Sequence, residues 1–135
     1  EPIMRSQARE IAFQLIFERL FVKDSYIQDE EFFAPLKKSE DQEFAKSLIR
    51  VFDDNRESLT EIISSKLIGY EIDRVYKVDL AILYLATAEL TYFQTPHQIV
   101  INEAVELAKK FSTEKSSRFV NGVLSSIVNK VNKPQ

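Results

Sequence analysis

Few side chains in this chain of 135 residues have the type and spacing for chemistry, and they point to charge recognition before catalysis. The one histidine, His97, follows Pro96 in a connection, where a surface or capping role suits it better than that of metal ligand or general base. Glu103 and Glu106 lie three apart, so a helix would set both on one face. With no cysteine and no second histidine to join them, they read as a solvated or helix-bonding pair. Two glycines cannot build a P-loop or a dinucleotide fingerprint, and no H-E-x-x-H occurs. No catalytic constellation remains. The expected protein is not an enzyme and carries no cofactor or metal.

The cations are more informative. The formal net charge is −3, which argues weakly against a general nucleic-acid binder. Its distribution is uneven. Residues 24–43 hold seven acids against Lys37 and Lys38, a local −5, while from Lys109 onward six bases face only Glu114, a local +5. A positive end on an acidic protein is a footprint for a polyanion, with a solvated surface as the plainer alternative. Arg5 and Arg9 stand one turn apart where the first helical pattern begins. Free backbone N–H groups at a helix start also favour phosphate. The competing reading is two arginines at a frayed end that merely face water.

The elements that must position these groups read as helices throughout. Hydrophobic content of 44%, charged content of 29% and very little Gly or Pro suit an all-α globular domain better than a multi-strand sheet. The chain is of single-domain length. No signal-peptide pattern opens it, and no apolar run approaches the roughly 20 residues that cross a bilayer. Ala8, Ile11, Ala12, Leu15 and Ile16 form one stripe over residues 5–22, widened by Phe13, Phe17, Leu20 and Phe21, with Ser6 as N-cap. An acidic connection from Tyr26 to Leu36 is anchored by Phe32 and Phe33 and broken at Pro35. Ser39 and Gln42 have the spacing of a capping box. The stripe that follows runs to a stop at Gly69, as one helix of about 40–68 with a polar notch or as two meeting near Asn55; one is preferred.

After a short segment opened by Asp73-Arg74, residues 80–90 are apolar almost all round, so this helix belongs in the middle of the fold. Its polar members Asp79, Thr87 and Glu89 are candidates for buried hydrogen bonds or an interface. Beyond Thr95-Pro96 two amphipathic patterns follow, joined by a turn of about five residues around Ser112–Ser117 whose hydroxyls can cap the second helix. Asn102-Glu103 and Asn121-Gly122 sit inside these helices. An interior glycine costs about 1 kcal/mol against Ala and marks a close backbone approach.

INEAVELAK at residues 101–109 and RFVNGVL at 118–124, separated by a connection of this length, resemble the C-terminal signature of the NusB family of bacterial transcription antitermination factors. AREIAFQLIF near the start and DRVYKVDLAILYLATAEL in the middle extend the resemblance over nearly the whole chain, weakest between Lys23 and Glu40. The resemblance implies an all-helical fold of about seven helices in two small antiparallel bundles. It further implies a cytoplasmic RNA-binding protein that pairs with NusE, a small-subunit ribosomal protein. That pair would bind boxA in leader RNA, notably of ribosomal RNA operons, and help RNA polymerase, within an antitermination complex, read through terminators. A homodimer that hides the RNA surface also occurs in the family.

Carried over by position, Phe119 is the family's aromatic at the RNA surface, with Lys115 and Arg118 placed to meet phosphates and Arg5 and Arg9 as the basic N-terminal segment. Ser6 and Gln7 stand where further basic residues are frequent, so weaker RNA binding by the isolated chain is expected. Phe119 also lies on the stripe of Val123, which leaves a core role open. Phe17 and Asp79 match the family's NusE-binding positions, or else are a core aromatic and a helix-start acid. Asn102, Glu103 and Asn121 are expected to hold helix ends. Two other readings stand beside this one. The first is a helical adaptor that keeps the fold and little RNA binding. The second is the NusB-like domain of some ribosomal RNA methyltransferases, disfavoured because the chain ends at Gln135 with no catalytic domain.

Overall fold

The computed structural model describes residues 5–22 and 30–131. Met4, Asp24, Tyr26, Asp29 and Lys133, and the side chains of Lys130 and Val131, lie outside the described residues. Six α-helices and one 3-10 turn follow in order, with no strand among the described residues. They are α1 (Ser6–Arg19), α2 (Glu30–Phe33), α3 (Ser39–Ser64), the 3-10 turn Ile72–Arg74, α4 (Lys77–Tyr92), α5 (His97–Phe111) and α6 (Glu114–Val131).

The central position falls to α4, as its sequence requires. Every residue from Asp79 to Leu90 is buried, and the helix packs on α1, α3, α5 and α6. Two small bundles, α1–α3–α4 and α4–α5–α6, therefore share it. Of the polar members of α4, Asp79 and Glu89 make buried bonds, whereas the Thr87 hydroxyl is buried without a hydrogen-bond partner among the described residues. Glu89 takes Arg9 of α1, and Asp79 takes Ser112 and Ser116 beside α6.

α3 is one helix with a kink. Asn55 leaves helical geometry at φ −127° and ψ 22°, and its side-chain amide donates to the Val51 carbonyl at 2.9 Å. Asn competes with the backbone for such bonds, so it breaks a helix where it turns inward. The Tyr92 hydroxyl donates to Asn55 Oδ1 at 3.1 Å and holds the break from α4. Counting the two halves of α3 separately gives the seven helices expected.

Four local expectations are corrected. Ser6 is the first helical residue, after an Arg5 cap position, and makes no capping bond. The capping box at Ser39 is out of register by one. Lys38 is the cap residue, its carbonyl accepting from Asp41 and Gln42, and the Gln42 amide turns back to the Leu36 carbonyl at 2.7 Å. α3 ends at Ser64, tightened by bonds from Lys66 to Ile63 and from Leu67 to Ser64. Gly69, at φ +90°, turns the loop beyond it instead of ending the helix. Gly122 marks no close approach: it is exposed on α6, and a Cβ there would meet nothing within 4 Å.

Candidate nucleic-acid interface

The connection between α5 and α6 is shorter than the sequence suggests, because the hydroxyl residues work inside the helix start. Thr113 caps α6: its Oγ1 accepts the Ser116 amide at 3.0 Å, and its carbonyl accepts from Ser117 at 3.0 Å. Ser116 and Ser117 are then buried in the first turn. Ser112 and Ser116 each donate to one oxygen of Asp79 at 2.9 Å, which ties the start of α6 to the start of α4.

Phe119 follows one turn later, half-buried. Its ring lies 6.3 Å from that of Tyr70, tilted by 33°. Tyr70, Arg74, Tyr76, Lys115 and Phe119 line one open hollow, with Asp79 and Ser116 beneath. Tyr76 is 66% exposed and Tyr70 40% exposed. Burial, and after it the Asp79 charge, push the Tyr70 phenol above its ordinary range. Arg118, exposed on the same helix, stands next to Phe119. Rings with open faces can stack unpaired bases, and cations beside them can meet phosphates. Lys115 and Phe119 are thus brought together in the hollow, while Arg118 lies outside its lining.

Tyr70, Arg74 and Tyr76 are functional candidates that reading the sequence missed. Their signal was present: two tyrosines and an arginine in the polar loop between Gly69 and the buried run of α4. Aromatic rings in such a loop have little core to enter.

The N-terminal arginines go elsewhere. Arg9 is 2% exposed, with Nε and Nη2 donating to the two oxygens of Glu89 at 2.8 and 2.7 Å. A second carboxylate, Glu103 of α5, stands 3.5 Å from Nη1. The structure places Arg9 in the core as a clamp on three helices. Arg5 lies 4.7 Å over the Phe44 ring and 3.7 Å from Asp41, in a separate hollow lined by Glu40, Glu43, Phe93 and Pro96. It is not gathered with Phe119.

Glu103 and Glu106 do not act as a pair, since the first faces Arg9 and the second meets Lys109 at 3.7 Å. Asn102 accepts from Gln98 at 2.9 Å, and Asn121 accepts from Ser125 at 3.3 Å, both exposed. His97 opens α5, half-buried.

Of the two partner candidates, Phe17 sits between Phe13 at 6.3 Å and Phe21 at 5.0 Å. Phe21 is 61% exposed and continues that row onto the surface. Asp79 is 5% exposed, and both of its oxygens are engaged within the chain. It is placed as an internal acceptor at the floor of the hollow.

Comparison with known proteins agrees with this architecture. Residues 6–129 match the model of the NusB family. The transcription antitermination protein NusB of Natranaerobius thermophilus is 36% identical, over 96% of this chain and 97% of its own length. That of Finegoldia magna is 39% identical, over 92% and 93%. Among solved structures, T. maritima NusB superposes with a TM-score of 0.87 at 32% identity, over 93% of this chain and 91% of that one. The structure of antitermination factors NusB and NusE in complex with dsRNA superposes with a TM-score of 0.85 at 30% identity, over 93% and 96%. With the family match spanning nearly all of the sequence and the fold repeated in its solved members, this chain belongs to the NusB family.

Proposed function

We propose that this chain is a transcription antitermination factor that binds boxA-type single-stranded leader RNA together with NusE. It would thereby promote read-through by RNA polymerase, notably in ribosomal RNA operons. The observation that carries the RNA half is the hollow in which Tyr70, Tyr76 and Phe119 face Arg74 and Lys115. Stacking surface and phosphate-seeking charge occur there together, which is what an unpaired strand requires. The solved pairing of a relative with NusE and dsRNA supports both partner classes.

The chain acts as one binding domain with no catalytic part. Its place of action is the bacterial cytoplasm, where leader RNA is made. No helix among the described residues is long and apolar enough to cross a membrane. The exposed end of α1, from Phe17 through Phe21, offers NusE an apolar foothold. Arg9 serves the fold, and Arg5 contributes at most a peripheral charge. RNA binding by the isolated chain is therefore weak and rises when NusE adds its own surface. A homodimer covering the hollow would be the resting form that RNA and NusE displace.

A gel-shift with boxA RNA, a scrambled RNA and added NusE tests this reading. A NusE-strengthened shift specific to boxA is expected. The helical-adaptor reading is favoured instead by NusE capture with no RNA shift under any condition.

A further inference from the structure

We infer that Asp79 is a positioning residue. Through Ser112 and Ser116 it latches the first turn of α6 onto the start of α4, and so holds Phe119 and Lys115 in register with the Tyr70–Tyr76 loop. The RNA consequence of this inference rests on the function proposed above; the latch itself does not.

The bonding is complete and has little freedom. Asp79 stands in the first turn of α4, 5% exposed, and each carboxylate oxygen receives one serine hydroxyl at 2.9 Å. A serine hydroxyl has one proton to give. Ser116 spends its own on Asp79, while that of Ser112 is shared between Asp79 Oδ1 at 2.9 Å and Ser116 Oγ at 2.8 Å, which joins the two serines within the same latch. Thr113 closes the remaining positions by accepting the Ser116 amide at 3.0 Å and donating its own hydroxyl to Ser116 Oγ at 3.1 Å. Bonds to an ionised acceptor are stronger than neutral ones, and burial protects them from competing water.

The latch spans 33 and 37 residues of sequence, and it is the polar tie between α4 and the α5–α6 turn. Its geometry decides what the hollow looks like. Phe119 lies one turn beyond Ser116, and Tyr70 approaches from the loop before α4. If the first turn of α6 swings outward, the two rings part and Lys115 moves with the turn. No residue of the latch needs to touch a ligand for this to matter.

Three variants separate the possibilities: the double variant Ser112→Ala/Ser116→Ala, Asp79→Asn, and Ser112→Thr, which keeps its hydroxyl. Each is measured for helix content, for ring–ring NOEs between Tyr70 and Phe119, for boxA RNA affinity with NusE present, and for NusE capture. The expected result is that the double variant and Asp79→Asn stay helical, lose the ring NOEs and bind RNA about tenfold more weakly, the loss of roughly one stacked base. Ser112→Thr should behave as the parent, and NusE capture should be unchanged in all three. Should the double variant fail to fold, Ser112→Ala alone, at a half-buried position, carries the same test.

Persistence of the ring NOEs without the two hydroxyls overturns the latch. Weakened NusE capture in Asp79→Asn alone also overturns it, by making Asp79 a partner contact. If the NOEs vanish while RNA affinity holds, the latch stands and the RNA reading of the hollow fails.

Discussion

Arg9 carries its charge inside the molecule, bidentate to Glu89 and beside Glu103. Removing one member of a buried pair leaves the other charge uncompensated, so Arg9→Ala should cost about 3–5 kcal/mol. Urea denaturation measures that loss, and the RNA affinity of the variant that remains folded should match the parent. Tyr76→Ala is the complementary case. With two-thirds of its surface open, its removal should leave stability within about 0.5 kcal/mol. It should weaken RNA binding by about 1–3 kcal/mol if a base stacks there. A parent-like affinity by fluorescence anisotropy would remove Tyr76 from the interface. Arg9 and its partner also show what single-residue reading can deliver. The positions of Glu89 and Asp79 inside an apolar helix announce buried bonds, because an acid there must find a donor. Which donor it finds depends on a residue 80 positions away for Glu89, and no local pattern encodes that. Arg9 therefore looked like a surface cation until the packing of α1 on α4 was known.

At the scale of elements, the existence of the long helices followed from periodicity. That of the four-residue α2, inside what reads as an acidic connection, did not, while helix ends depended on which residue takes the cap position. Thr113 makes its capping bond and Ser39 does not. Thr113→Ala should thus cost about 1 kcal/mol and Ser39→Ala a few tenths at most, compared by thermal denaturation. Equal losses would mean that the α3 cap forms as the sequence motif suggests. Gly122 adds a second check. Nothing stands where its Cβ would go, so Gly122→Ala should raise stability by about 1 kcal/mol through helix propensity alone. A loss of stability would reveal a contact that the exposed face does not show. The kink of α3 was visible as a polar notch at Asn55. That Tyr92 would hold it open, and keep the two halves as one element, rests on contact between α3 and α4 that only the folded chain supplies.

For the molecule as a whole, α4 acts as the common wall of two bundles, and the face at the start of α6 collects rings and cations on an otherwise acidic protein. The all-helical architecture was legible because composition, stripes and the apolar α4 pattern agree with one another. The hollow was only half legible, since Tyr70 and Tyr76 meet Phe119 through a loop with no period to read. The central claim is that this face holds unpaired RNA. The most direct test is the boxA affinity of the NusE-bound chain, parent against Phe119→Ala, titrated over salt. The account predicts a roughly tenfold or greater loss in the variant, an unchanged fold, and an affinity that falls as salt rises, because Lys115 and its neighbours release counterions from phosphates. Parent-like binding by a folded Phe119→Ala, or affinity indifferent to salt, would contradict it.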